Sequence, residues 1–289
     1  MRITSPSNPR IQAALRAVES GENLLLEGTR ALGEALAAGI VPKEIFSEGE
    51  EGTGADESIR GATERGAALC FVTSKVLSKL SDLPSARGVV ALAIPPRRGL
   101  SDLYPSKHPP SVPLPPSSSP SFSSSVFVLL DGVQDPANVG AIVRSAEAFG
   151  ATGVLLTSDC ASPFSPKALR ASALSALRIP ITTDVAPDEA AAWAETAGAV
   201  LAGAETTGGD SPSSLSALRP LVLVVGSEGH GISPALESRL SRRVTIPLSG
   251  RVESLNAAVA AGILLAFATG LPTGGAGQIG SPKTSAENV

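Results

Sequence analysis

Cysteine is nearly absent from this chain of 289 residues, which holds only Cys70 and Cys160, far apart in sequence. Two such thiols cannot build a disulfide framework or a thiolate metal cage, and both read as small buried hydrophobes. Histidine is as scarce, with His108 and His230 alone, so a histidine-rich centre is excluded and no metal is expected. Long apolar runs are missing too. The longest, residues 256–268, is Ala-rich and shorter than the ~18–20 residues that span a bilayer. Residues 1–16 are punctuated by Pro6, Pro9, Arg10 and Arg16 and lack a signal peptide's apolar core. The expectation is a cytoplasmic protein with no membrane segment, whose chemistry falls to an organic cofactor or to side chains alone. Excess positive charge is also lacking, since the net charge of -4 argues against a generally basic, sequence-indifferent nucleic-acid binder. Local clusters can still bind phosphate, and Arg144, Lys167, Arg170, Arg178, Arg242, Arg243 and Arg251 all fall near the motifs below.

With 43% hydrophobic residues the chain can form two domains, each with its own core. Residues 96–125 are dense in Pro and Ser and read as a linker, extended where Pro dominates and flexible where Ser does, so the flanking domains are expected to move relative to one another. Residues 1–95 show helical spacing at 9–18 and 27–38, the latter placing Ala31, Leu32, Ala35 and Leu36 on one face. Strand-like runs follow at 44–46, 68–72 and 88–94, which predicts a small α/β domain. Residues 49–54 read as a polar turn and 272–289 as a frayed Gly- and Ser-rich tail. In 126–271, strands at 126–130, 153–156, 199–203, 221–225 and 244–246 alternate with helices at 139–149, 166–177, 188–196, 234–240 and 255–268. That alternation predicts an α/β fold with a mainly parallel sheet covered on both faces, and a ligand site in the loops leaving the strands' carboxyl ends.

Three segments carry the chemistry. Residues 131–156 run from a strand through a polar loop into a helix begun by Asp135 and Pro136, with Val139, Ile142, Val143 and Ala146 as the buried stripe and Asn138 and Arg144 as polar members. Taken blandly, Asn138 caps the helix and Arg144 is a solvated charge. Residues 221–233 are an apolar strand opening into a loop with Gly226, Gly229 and Gly231, which lets backbone approach a ligand. No Gly-Lys-Ser/Thr follows, so this is not a P-loop, and its spacing is not the dinucleotide fingerprint. Glu228 would repel phosphate but can pair with a guanidinium, and His230 reads as a loop residue. Residues 244–267 pass through Pro247 and Gly250 into a small-residue helix with Ser254 and Asn256 at its start, where Ser254 is the simplest N-cap. Ala257, Ala258, Ala260, Ala261 and Gly262 offer a thin surface for close packing, against the domain itself or another subunit.

In this order and spacing the three segments resemble the signature motifs of the SpoU/TrmH branch of the SPOUT RNA methyltransferases, over nearly all of residues 126–270. ITSPSNPRIQAAL followed by LLLEGTRALGEAL is similar to the RNA-substrate-binding domain that precedes many such catalytic domains. The resemblance implies a trefoil knot, a rare exception to unknotted threading, and S-adenosylmethionine bound by Gly226, Ser227, Glu228 and Gly229, by Ile246 and Leu248, and by Ser254, Leu255 and Asn256. It implies a catalytic group of Asn138, Arg144, Glu228, Ser254 and Asn256, and a homodimer whose site is completed across the interface. The expected reaction is ribose 2′-O-methylation of structured RNA, with ribosomal RNA favoured over transfer RNA. One departure is visible: Leu174 stands where many relatives carry a small residue, usually Gly.

The family assigns the position of Arg144 to a general base, yet a guanidinium with a pKa above ~12 is a poor base at neutral pH. Clamping the target phosphate and stabilising a developing alkoxide suits it better. Two other classes compete. A non-catalytic RNA-binding protein on the same fold is opposed by the joint presence of all five catalytic candidates, and a nicotinamide-dependent oxidoreductase by the missing fingerprint.

Overall fold

The computed structural model describes residues 2–48, 56–81, 88–103 and 124–270. The polar turn at 49–54, most of the linker and the 272–289 tail lie outside the described residues. The first domain runs β1 (Arg2–Ile3), α1 (Pro9–Glu19), β2 (Leu24–Glu27), α2 (Gly28–Ala37), β3 (Glu44–Ser47), α3 (Glu57–Glu64), β4 (Ala68–Val72), α4 (Ser74–Leu80) and β5 (Val89–Ala93). Its mixed sheet has the order β1-β4-β3-β5-β2, with β5 antiparallel to β3 and β2. Strand alternation sorts the side chains by face: Leu24, Leu26 and Ile45 go to one apolar cluster, Leu25 and Phe46 to another. Residues 24–27, apolar but too short to show alternation, form a strand that the sequence reading passed over. On α2 the expected face is present, with Ala31, Leu32 and Ala35 buried and Leu36 partly so.

The second domain continues with β6 (Val126–Asp131), α5 (Pro136–Ala148), β7 (Gly153–Thr157), α6 (Pro166–Ala171), β8 (Ile181–Val185), α7 (Pro187–Thr196), β9 (Val200–Glu205), β10 (Leu221–Gly226), α8 (Pro234–Glu237), β11 (Arg242–Thr245) and α9 (Ala257–Thr269). All six strands are parallel, in the order β11-β9-β10-β6-β7-β8. The continuous apolar run of β6 follows from burial on both faces: Val126, Val128 and Leu130 share a cluster with α5 and α9 residues, while Phe127 and Leu129 meet α7, where Phe127 packs edge-on to Trp193 at 5.0 Å. Strand β8, with its polar Thr182, Thr183 and Asp184, gave no apolar signal and was not expected.

The linker's composition is silent about the surfaces it joins, and those surfaces touch. Arg170 of α6 pairs with Glu27 at 2.8 Å, a carboxylate whose side chain is only 7% exposed and which also accepts from Ser81 Oγ at 2.6 Å. Arg178 reaches Glu34 of α2 at 2.9 Å and forks onto Glu147. One apolar cluster also contains Leu26 and Leu32 with Ile142 and Leu169. Within the stretch read as linker, Leu100–Leu103 form a turn of 3-10 helix whose Leu103 is buried beside Phe127. These contacts oppose the independent domain movement expected from composition.

The departure at Leu174 has a backbone meaning. Leu174 follows α6 at φ 68° and ψ 8°, the left-handed conformation in which a Cβ is crowded and glycine is favoured. Its side chain packs partly buried on the core. Relief of about 1–2 kcal/mol of backbone strain and loss of a similar burial energy nearly cancel in Leu174→Gly, which is expected to stay within ~1 kcal/mol of the parent. Leu174→Val, β-branched at positive φ, is expected to lose about 1–2 kcal/mol. Denaturant midpoints check this, and a glycine variant weaker than the valine one would refute it.

Candidate active site

The carboxyl ends of β9, β10 and β11 open onto a cavity of about 540 Å³. The loop after β10 folds back on itself, with Ser227 N donating to Gly231 O at 3.0 Å and Gly231 N returning to Ser227 O at 2.9 Å. Its far end is held by Asp131 of β6, a buried carboxylate that accepts from Ser233 N at 2.6 Å. Gly226 has a reason to be glycine beyond the one read from sequence. A Cβ there would overlap Gly231 and come within 2.5 Å of Ile232 N, so it permits the close approach of the loop's own return.

Three side chains from the three motifs meet at the cavity's edge. Asn138 Nδ2 donates to Glu228 Oε1 at 2.6 Å, and Asn256 Nδ2 donates to the same oxygen at 3.2 Å and to Asn138 Oδ1 at 3.0 Å. Helix architecture sets both amides. Asp135 caps α5, its Oδ1 accepting from Ala137 N at 3.0 Å, and the Lys167 ammonium beside it, with that backbone bond, holds its carboxyl below the usual range. Asn138 is thereby freed from capping and lies buried in the first turn. At α9 the cap is Asn256 and not Ser254: its Oδ1 accepts from Ala258 N at 2.9 Å and Val259 N at 3.3 Å, while its Nδ2 faces the network. One amide thus starts the helix and joins the site.

Gly226, Ser227, Glu228, Ile246, Leu248, Ser254, Leu255 and Asn256 all line the cavity. Gly229 does not, and His230 is exposed on the loop. Arg144 stands apart: it is exposed on α5, outside the cavity wall, and makes no hydrogen bond or ion pair to any described residue. Within one chain, then, Glu228 is taken by the amides of Asn138 and Asn256, and the pairing with a guanidinium that its chemistry allows is not made. The small residues of α9 serve the domain itself, with Ala257 and Ala261 buried and Gly262 against Ser145 of α5, leaving Val259 and Phe267 exposed. Of the basic residues near the motifs, Lys167, Arg170, Arg178 and Arg243 are engaged by carboxylates. The sequence reading missed Glu205 and Glu253, which also line the cavity. Glu205 ends β9, so its place on a strand's carboxyl end was the available signal.

The cavity wall carries three carboxylates, Glu205, Glu228 and Glu253, and no Lys or Arg. Such a lining favours a cation and disfavours a polyphosphate. Among the described residues there is no group of three His, Cys, Asp or Glu placed to hold a metal, and no helix long and apolar enough to cross a membrane.

Comparison with known proteins identifies the family. Residues 125–266 match the SpoU rRNA Methylase family and residues 25–98 the RNA 2′-O ribose methyltransferase substrate-binding domain. A Mycobacterium avium protein named uncharacterized tRNA/rRNA methyltransferase is 33% identical over 277 residues, spanning 92% of this chain and 84% of its own. The chain belongs to the SpoU RNA methyltransferase family. The S-adenosylmethionine-bound rRNA methyltransferase of Sinorhizobium meliloti superposes on this SpoU-family protein with a TM-score of 0.78 at 26% identity, covering 93% of this chain and 97% of that one. A solved RNA 2′-O ribose methyltransferase does so at 0.70 and 28%, covering 93% and 98%.

The cofactor of this SpoU-family protein is S-adenosylmethionine, and the cavity suits it. The volume lies within the usual ~300–1,000 Å³ of ligand sites. Ile246, Leu248 and Leu255 supply apolar wall for an adenosine, and the acidic lining suits a cationic sulfonium and ammonium.

Proposed function

We propose that this SpoU-family enzyme methylates a ribose 2′-hydroxyl of ribosomal RNA and works as a homodimer. The observation that carries the reading is the Asn138, Glu228 and Asn256 network on the rim of an acidic, cofactor-sized cavity. A purely RNA-binding protein has no use for a cavity of that charge beside a fixed polar cluster. The likeness to a solved RNA 2′-O ribose methyltransferase supports the position of transfer, and transfer RNA is the alternative substrate, since the M. avium relative is named for both. Convergence of residues 204–206, 225–231 and 244–264 on one cavity is in keeping with the knotted threading that the family implies.

Bound S-adenosylmethionine supplies a methyl group already activated by its positive sulfur. The protein's part is to position and to balance charge. Glu228 Oε1 accepts from two amides, which fixes both side chains and leaves Oε2 for a donor on the substrate or the partner subunit. Ser254, exposed on the cavity wall, offers a hydroxyl to the ribose or the cofactor. Arg144 is free to act across a dimer interface, where a planar fork can hold the target phosphate and stabilise negative charge growing on the 2′-oxygen, the proton leaving to water. Val259 and Phe267, exposed on α9, give that interface apolar surface.

The test is single-turnover transfer of labelled methyl to total RNA from cells lacking the gene, followed by mapping of the modified nucleotide. Arg144→Ala is expected to lower the rate by about 100- to 1,000-fold with cofactor affinity unchanged, and Arg144→Lys to keep part of the activity because charge remains and the fork is lost. Near-normal methylation by the alanine variant would remove Arg144 from the catalytic group. A base methylation, or a monomer by light scattering at micromolar concentration, would overturn the corresponding part of the proposal.

A further inference from the structure

A second cavity, of about 170 Å³, lies where the two domains meet. Its lining includes Gly21 from the first domain, Arg97 from the connector, Thr157 at the end of β7, Cys160 and Phe164 from the segment following it, and Asp184 from β8. It is smaller than the ~300 Å³ at which whole-ligand sites begin, so it admits one planar fragment and not a second cofactor. Cys160 is no nucleophile here, because burial pushes its thiol up and its Sγ sits 3.2 Å from Leu130 O.

Strand register ties this cavity to the active site. Gly226 pairs with Asp131 across β10 and β6, and Leu130 with Leu156 across β6 and β7, which puts Gly226 and Thr157 at one level on the same rim of the sheet. Two strand spacings separate them by about 10 Å, a distance that a stacked strand covers in about three steps of 3.4 Å. An RNA strand lying along this rim with one ribose at the cofactor cavity passes the second cavity within a few nucleotides.

The polar groups there have the chemistry of base recognition. Asp184 holds a left-handed backbone, φ 60°, at the cavity wall, and its carboxylate accepts only from its neighbour Thr183, at 2.8 Å, among the described residues. The positive φ belongs to the bulge by which β8 shifts register against β7 between Thr182 and Val185, and a bulge re-aims the side chain it carries. Arg97 makes no hydrogen bond or ion pair to a described residue, and unstacked bases in single-stranded RNA are held on arginine planes and read along their Watson–Crick edges.

We propose that this junction cavity is a subsite for one unstacked nucleobase of the RNA substrate, flanking the methylated nucleotide, with Arg97 over its face and the Asp184 carboxylate accepting from adjacent N–H donors of a guanine. The inference rests on the reading of this protein as an RNA methyltransferase, and it makes Asp184 a determinant of specificity.

Guanosine 5′-monophosphate titrated into the isotope-labelled full chain is expected to shift amide resonances of residues 157–164 and 183–184, with uridine 5′-monophosphate much weaker. Ala161→Trp, which fills the cavity, is expected to abolish those shifts. Shifts confined to residues 226–231, none at tens of millimolar, or equal shifts with both nucleotides would overturn the subsite. Asp184→Asn keeps the shape and loses the second acceptor, and is expected to lower kcat/KM for RNA at least about tenfold with cofactor affinity unchanged. Wild-type kcat/KM in that exposed-site variant, which tests the idea even if the tryptophan variant fails to fold, would equally overturn the assignment. A wild-type protein that methylates no RNA would defeat the broader reading, while the nucleotide titration would still decide the subsite.

Discussion

Replacing Gly226 by valine is expected to weaken S-adenosylmethionine binding at least about a hundredfold, read by calorimetry on the ligand-free protein. The side chain would not meet the cofactor first. It would meet the backbone of Gly231 and Ile232, which no rotamer change can move aside. To make room the loop has to open, breaking the paired bonds between Ser227 and Gly231 and carrying Ser227 and Glu228 away from the cavity wall. Glu228 then leaves Asn138 and Asn256 without their shared acceptor, so methyl transfer falls further than binding. Wild-type affinity in a folded valine variant would sink this account of the loop.

Gly140→Ala is expected to be strongly destabilising for a single added methyl, costing about 3 kcal/mol and lowering the unfolding midpoint by roughly 6–12 °C. Gly140 lies on α5 where α6 crosses it, and a Cβ would overlap the carbonyl of Ala168 and stand 2.7 Å from Ala171 Cβ and 3.0 Å from Ser172 N. Two of those three neighbours are backbone, so α6 must shift as a body. It carries Arg170, whose ion pair with Glu27 crosses to the first domain, so the variant should also become easier to cleave between domains. Thermal scans with limited proteolysis check both effects, and a midpoint within a degree or two of the parent would contradict the packing described.

Much of the architecture was legible because burial leaves a mark on residue order. The all-apolar runs of β6, β7 and β10 could only be strands covered on both faces, and Asp135 with Pro136 announces the start of α5. Strand β8 was not legible, since its outward Thr183 and Asp184 break the apolar run. The approach of residues 138, 228 and 256 followed from family resemblance and not from periodicity, because positions 90 and 118 residues apart leave no local trace. Residue roles were harder to read than residue places. Asn256 and Ser254 were both capping candidates by composition, and only the bond from Ala258 N shows which one caps. Likewise the need for glycine at 226 was visible, while the neighbour enforcing it, five residues on in the same loop, was not.

The parallel order β11-β9-β10-β6-β7-β8 also bears on how the chain reaches its fold. Every adjacent pair needs a crossover, and the central pair joins Leu221 to Val126, about 95 residues apart. At ~5–20 residues per second of synthesis, β6 waits roughly 5–20 s for the strand that completes its far edge. During that interval its apolar run has β7 on one side and nothing on the other, which is the circumstance in which nascent chains aggregate or engage chaperones. The cofactor cavity, built from β9, β10, β11 and α9, is then the last part of the second domain's sheet to form, and the first domain is complete well before there is a site for it to serve.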